Sequence, residues 1–148
     1  MARAEHDVLV ARDAMTVYSF LLDGANLPMW QAGVRSIGLS SGSAGSVGAR
    51  YQVTMDGPRD RPVARNYEIT QARPGAEIQF QVVAGPSLLR GGFYLSTESA
   101  GTRVRFALEA PTRGFWSFIR PAYRRQLRAA VGQLAKLPGV IEERTTAD

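Results

Sequence analysis

"FWSFIRPAYRRQLRAAVGQLAKL", residues 115–137, is the longest helical pattern in the chain, and it comes last. With Leu127 set at zero and about 100° per residue, Trp116, Ile119, Tyr123, Leu127, Ala130, Val131, Leu134 and Leu137 fall within about a 120° arc. A helix with one apolar side needs a surface to bury it against. Pro121 suits a first helical turn, so regular helix is expected from about that point, with 115–119 forming a preceding or kinked turn. The remaining tail, 138–148, "PGVIEERTTAD", reads as a frayed end.

The surface for that helix lies upstream. "VRSIGLSS" (34–41), "VGARYQVTMD" (47–56), "RPVARNYEITQA" (61–72), "AEIQFQVVAG" (76–85), "SLLRGGFYLSTE" (87–98) and "TRVRFALEAP" (102–111) each alternate with period two. Gly, Ser, Pro and Asp clusters separate them, the expected punctuation of an antiparallel meander. A seventh strand, "EHDVLVA" (5–11), opens the chain. After it Asp13 is placed to cap a helix carrying Val17, Phe20 and Leu21 at helical spacing, which Gly24 ends before a short second turn from Ala25 to Trp30. The order is strand, two short helices, six strands and a long amphipathic helix. An α+β fold with one apolar sheet face closed by one helix buries both surfaces economically.

The strand faces agree with this arrangement. Tyr51, Val53 and Met55 share one side of their strand, as do Val63, Tyr67 and Ile69, then Ile78, Phe80 and Val82, Phe93 and Leu95, and Val104, Phe106 and Leu108. Arg50, Gln52, Glu68, Glu77, Gln79, Arg103, Arg105 and Glu109 take the other side. One face is dry and the other wet.

In this order "VYSFLLDGANLPMW" (17–30), "VGARYQV" (47–53), "NYEIT" (66–70), "GTRVRFALE" (101–109) and the basic amphipathic helix resemble the START-like, Bet v 1-like helix-grip superfamily. The nearest resemblance is to its bacterial polyketide cyclase/dehydrase and lipid-transport branch, the SRPBCC proteins. The resemblance covers essentially the whole chain, and so implies a single domain over 1–148. It also implies a curved seven-stranded antiparallel sheet gripping the C-terminal helix, with a cavity between them. The implied function is to bind or carry a small hydrophobic molecule, lipid or polyketide-like. Cyclisation or dehydration of a polyketide in the same cavity is the enzymatic alternative.

Bulk properties narrow the classes further. The 148 residues are 45% hydrophobic and 21% charged, as in an ordinary soluble globular domain. No window reaches the roughly 18 apolar residues of a membrane span, and the N-terminus lacks a signal-peptide core, so a cytoplasmic protein is expected. Cysteine is absent, which removes disulfides and thiolate chemistry, and His6 is the only imidazole. A histidine-rich metal site is therefore excluded by count, and neither a metal nor a cofactor is expected. The net charge of +5 matches the surplus on the terminal helix alone, where Arg120, Arg124, Arg125, Arg128 and Lys136 meet no acid. That stripe gives a third reading, an interaction module for proteins or anionic membrane surfaces; nucleic acid is not the expected partner. Peripheral membrane contact and a homodimer stay open.

One residue breaks the pattern. Arg65 shares the apolar face of Val63, Tyr67 and Ile69, although a guanidinium cannot shed its charge and is costly to bury unpaired. No Asp or Glu points inward from a strand core, so Arg65, with Tyr51 and Tyr67 near it, is the candidate to bind an anionic or carbonyl end of an apolar ligand. The competing reading has Arg65 near the sheet's end, reaching water or a loop acid such as Asp23, Asp56 or Asp60. Trp30, Phe80, Phe93 and Tyr123 complete the candidate ligand-binding set, and Arg120 is a weaker candidate at the cavity mouth. Arg65, Tyr67 and Tyr51 are also the candidate catalytic groups, without a general base in view. Ala84, Gly91 and Ala130 are small inward residues that would leave room. A dry void of roughly 300 Å³ would forfeit about 7 kcal/mol, so a hollow of that size calls for water or a guest.

Overall fold

The computed structural model describes residues 2–83, 89–110 and 121–146. Strand β1 (Ala2–Val10) leads into helix α1 (Ala14–Leu22), a 3-10 segment (Gly24–Met29) and then β2 (Val34–Ser41), β3 (Arg50–Asp56), β4 (Pro62–Ala64), β5 (Tyr67–Arg73), β6 (Glu77–Val82), β7 (Arg90–Glu98) and β8 (Gly101–Ala110). Helix α2 (Pro121–Gly132), a 3-10 segment (Gln133–Lys136) and α3 (Leu137–Thr146) follow. The strands form one antiparallel sheet in the order β1-β8-β7-β6-β5-β3-β2, with β4 paired to β3. Thus α1 and the 3-10 segment carry the chain from one sheet edge to the other, and the meander returns until β8 lies beside β1, Ala2 opposite Ala110 and Val10 opposite Thr102.

The start of α1 follows the expected capping chemistry. The Asp13 carboxylate accepts the Thr16 backbone N–H (3.2 Å) and the Thr16 hydroxyl (2.6 Å), satisfying one of the helix's orphan donors. Gly24, which follows the Asp23 C-cap of α1 and opens the 3-10 segment, is required there for a steric reason. A Cβ there would sit 2.5 Å from the Tyr67 hydroxyl and 2.7 Å from a Tyr51 ring carbon, so only glycine lets this segment lie against the two tyrosines.

The stretch 61–72 departs from the single strand expected of it. The pairing breaks at Arg65 and Asn66, giving eight strands rather than seven. The Asn66 side-chain oxygen accepts the Val53 N–H (3.0 Å), the Arg65 N–H donates to the Val53 carbonyl (2.9 Å), and the Val83 N–H donates to the Asn66 carbonyl (2.8 Å). A side chain therefore takes a place in the ladder. Two residues are consumed in the break, so the inward parity of 63, 65, 67 and 69 survives it. Irregular pairing recurs between Val34 and Ser36, Leu39 and Ser41, and Ile69 and Gln71, and such bulges bend a strand and increase its twist.

The C-terminus also differs from expectation. Residues 138–146 do not fray but lie within α3, because the apolar stripe of α2 continues: Leu134 and Leu137 are fully buried and Ile141 is 2% exposed. Pro138 falls in the first turn of α3, the part of a helix that tolerates proline best. Glu142 ties this helix to the end of β1, its carboxylate accepting the Ala11 N–H (3.0 Å) and its carbonyl accepting from the Arg12 guanidinium (3.1 Å).

The two sheet faces separate as the alternation requires. Outward, Arg50 meets Glu68 at 2.7 Å, Arg103 reaches Glu98 and Asp7, and the Arg105 guanidinium lies 5.0 Å from the Tyr94 ring centre. Such exposed pairs contribute little individually, about 0–1 kcal/mol, and identify the wet face more than they stabilise it. Inward, Val53, Ile69, Ile78, Phe93, Val104 and Phe106 are buried in one cluster with Val17, Leu127 and Leu134.

Candidate functional site

The inward faces do not meet everywhere. A cavity of about 580 Å³ lies between the sheet, α2 and the segment around Gly24–Trp30, within the roughly 300–1,000 Å³ usual for small-molecule sites. Its sheet wall is aromatic. Tyr51 stacks on Tyr67 (5.2 Å between ring centres), Tyr67 meets Phe80 edge-on (5.6 Å), Phe80 lies 6.0 Å from Phe93, and Phe93 stacks on Phe106 (4.6 Å). Trp30 closes the row, edge-on to both Phe93 (5.9 Å) and Phe106 (5.7 Å). The helix wall is low: Ala129, Ala130 and Gln133 line it beside Leu127.

Trp30, Arg65, Tyr67, Phe80 and Phe93 of the candidate set all line this cavity. Trp30 is at once core and wall, 3% exposed with its ring turned to the aromatic row. Tyr51 does not reach the cavity. Its ring is 2% exposed behind Tyr67 and its hydroxyl accepts the Gly45 N–H at 3.4 Å, which makes it a support for Tyr67 rather than a contact for a guest. The side chain of Tyr123, and the whole of Arg120 and Ala84, lie outside the described residues. On the basic stripe, Arg125 and Arg128 are exposed. Ala130 does line the cavity, but the room left by Gly91 is already taken: a Cβ there would lie 2.5 Å from the Phe80 ring and 2.8 Å from Leu108.

Arg65 is half-buried, directly after β4, with a guanidinium nitrogen 3.3 Å from the Ala64 carbonyl. It stands beside the end of β3, where Met55, Asp56 and Val63 also border the cavity. The charge is thus placed at an edge of the sheet and not in the dry core, the arrangement that lets an apolar stem pack while the head keeps polar company. Two carboxylates absent from the sequence reading as inward groups also line the cavity, Asp23 and Asp56. Asp56 is paired with Arg35, and Asp23 caps the Ala25 N–H at 3.1 Å. Both sit at element ends, where strand parity carries no information.

Tyr67 keeps its proton. Burial pushes its phenol above the usual range, with Tyr51 and Asp23 adding to the shift, so the hydroxyl is a donor at every ordinary pH. Its oxygen faces Gly24, at the foot of the 3-10 segment. Gln133 escaped the sequence reading because it lies outside the apolar arc. Its three-residue spacing from Ala130, which lies inside the arc, was the available signal. Among the described residues no group of three or more His, Cys, Asp or Glu side chains is placed to hold a metal ion, and no helix is long and apolar enough to cross a membrane.

A family model described as polyketide cyclase/dehydrase and lipid transport matches residues 1–137. The chain belongs to this family. Solved structures agree with the helix-grip fold at low identity. A START superfamily protein from Mycobacterium smegmatis is 14% identical with a TM-score of 0.77, the match covering 95% of this chain and 97% of that one. Ara h 8.0201 is 15% identical with a TM-score of 0.70, over 99% and 98% of the two chains. The di-domain ARO/CYC protein StfQ of the steffimycin biosynthetic pathway is 14% identical with a TM-score of 0.75, over 98% of this chain and 52% of its own length. No curated protein sequence matches significantly. At these identities the chain shares a fold with its structural neighbours, and its chemistry has to be argued from its own cavity.

Proposed function

We propose that this chain binds a small, largely apolar molecule in the cavity between its sheet and α2, with Arg65 holding an anionic or carbonyl group at the sheet's edge. The observation that carries this reading is the aromatic row from Tyr67 through Phe80 and Phe93 to Trp30, facing about 580 Å³ of space. Such a space is held by water or by a guest, and large apolar walls favour the guest. Membership of a family that includes lipid transport supports the same class of ligand.

Native mass spectrometry of the purified chain, followed by organic extraction, tests it. A discrete small molecule that leaves on extraction, and whose uptake falls in Arg65→Ala, is the expected result. A bare-chain mass that stays bare against a panel of fatty acids and aromatic polyketides overturns it.

Cyclisation or dehydration of a polyketide is the second reading, favoured by Arg65 and the protonated Tyr67 on one wall. Both are groups that polarise carbonyl oxygens, in a cavity that would hold a reactive chain folded. Product formed from a linear poly-β-ketone, and lost in Arg65→Ala and Tyr67→Phe, would establish turnover; unchanged substrate restricts the protein to binding.

A further inference from the structure

The cavity's helix wall holds an unexplained amide. Among the described residues, Gln133 Oε1 is the one buried side-chain oxygen or nitrogen that has no hydrogen-bond partner. It stands at the junction of α2 and the 3-10 segment, beside Ala130 on the cavity side, while Leu134 and Leu137 next to it are fully buried against the sheet. Position 133 is half-buried, and a leucine there would line the cavity without leaving a buried acceptor unpaired. The two cavity-lining carboxylates are used: Asp23 caps a backbone N–H and Asp56 holds Arg35. Gln133 has no such occupation, and the soft last torsion of a glutamine lets its amide turn toward the cavity at little cost.

Resting on the proposed binding function, we propose that Gln133 is a specificity-determining residue: the guest is an apolar molecule that carries a hydroxyl, and this hydroxyl donates to Gln133 Oε1 from within the cavity. A hydroxyl suits the position because it can donate to the oxygen and accept from the amide nitrogen. A site of this kind discriminates by exclusion, since an unhydroxylated guest leaves the acceptor stranded under apolar surface.

The test is a hydroxyl walk. Anilinonaphthalene sulfonate bound to the full chain is displaced by tetradecanoic acid and by each of its monohydroxylated isomers. One region of hydroxyl positions is expected to bind about five- to tenfold more tightly than the parent acid, the size of one well-made hydrogen bond. Gln133→Leu is expected to abolish that preference while binding the parent acid at least as well. Should leucine prevent folding, Gln133→Met serves, and the wild-type profile stands without either. A flat profile with the parent acid bound, or a preference that survives in the variant, overturns the role of Gln133 and leaves the binding reading intact. Failure of every acid to displace the dye defeats the binding reading and this inference together.

Discussion

One sheet and one helical stretch build two different interiors. On the side of β1 and β8, the residues Val10, Val104, Leu134, Leu137 and Ile141 are packed to essentially zero exposure. On the side of β3 to β6, Met55, Val63 and Tyr67 are only half-buried and face about 580 Å³ of space across from Ala130 and Gln133. Neighbouring positions of the same helical stretch serve both: Leu134 goes to the filled side and Gln133 to the hollow one. Stability and ligand capacity are therefore carried by different residues, and a substitution can strike one without the other.

The largest effects belong to the filled side. Leu134→Ala or Ile141→Ala is expected to cost about 3 kcal/mol in urea denaturation, whereas Val63→Ala on the cavity wall costs less than about 1 kcal/mol, because its neighbours already lack a full shell. Equal losses on the two sides would erase the contrast. Gly24→Ala drives a methyl group into Tyr67 and Tyr51 and is expected to cost about 1–3 kcal/mol. Adding Tyr67→Phe should recover part of that loss, by removing the hydroxyl while leaving the Tyr51 ring. Asn66→Ala strips the Val53 N–H of its acceptor, an expected cost of about 1–2 kcal/mol read from the same denaturation curves.

The smallest effect is electrostatic and sits outside both interiors. Hydrogen bonds from the Thr16 hydroxyl and N–H hold the Asp13 carboxyl below the usual range. Its contribution is present above the unfolded carboxylate pKa of about 3.9 and is lost as pH falls through the lower folded value. Asp13→Asn, which still caps but does not titrate, should make stability below about pH 4 slightly less steep in pH while leaving the neutral value nearly unchanged.

Most of the fold was legible because it rests on two periodicities. Alternation located the strands and their dry face, and the helical arc of 115–137 located the closing helix. What escaped was the work of single side chains. Asn66 enters the ladder through its amide, so no propensity marks the break in 61–72. The tail was misjudged because Pro138 and Gly139 interrupt the pattern before Ile141, four residues beyond Leu137 and on the same stripe. In the cavity, strand parity found Arg65, Tyr67, Phe80 and Phe93, since each stands on a regular inward face or continues its parity. It placed Tyr51 on the correct face without showing that Tyr67 stands in front of it. Parity says nothing of residues at element ends, which is where Asp23, Asp56 and Gln133 are found. Nor can it separate a glycine that leaves space from one that is already filled, as Gly91 is by Phe80.

The central claim is that the space between the sheet and α2 admits an apolar guest. Native mass spectrometry of the wild-type chain and of Ala130→Phe, each titrated with tetradecanoic acid, tests it most directly, with circular dichroism to establish that both are folded. A one-to-one adduct on the wild type that is lost when a phenyl ring occupies the cavity is the predicted result. Equal uptake by the two folded proteins, or uptake by neither, would contradict it.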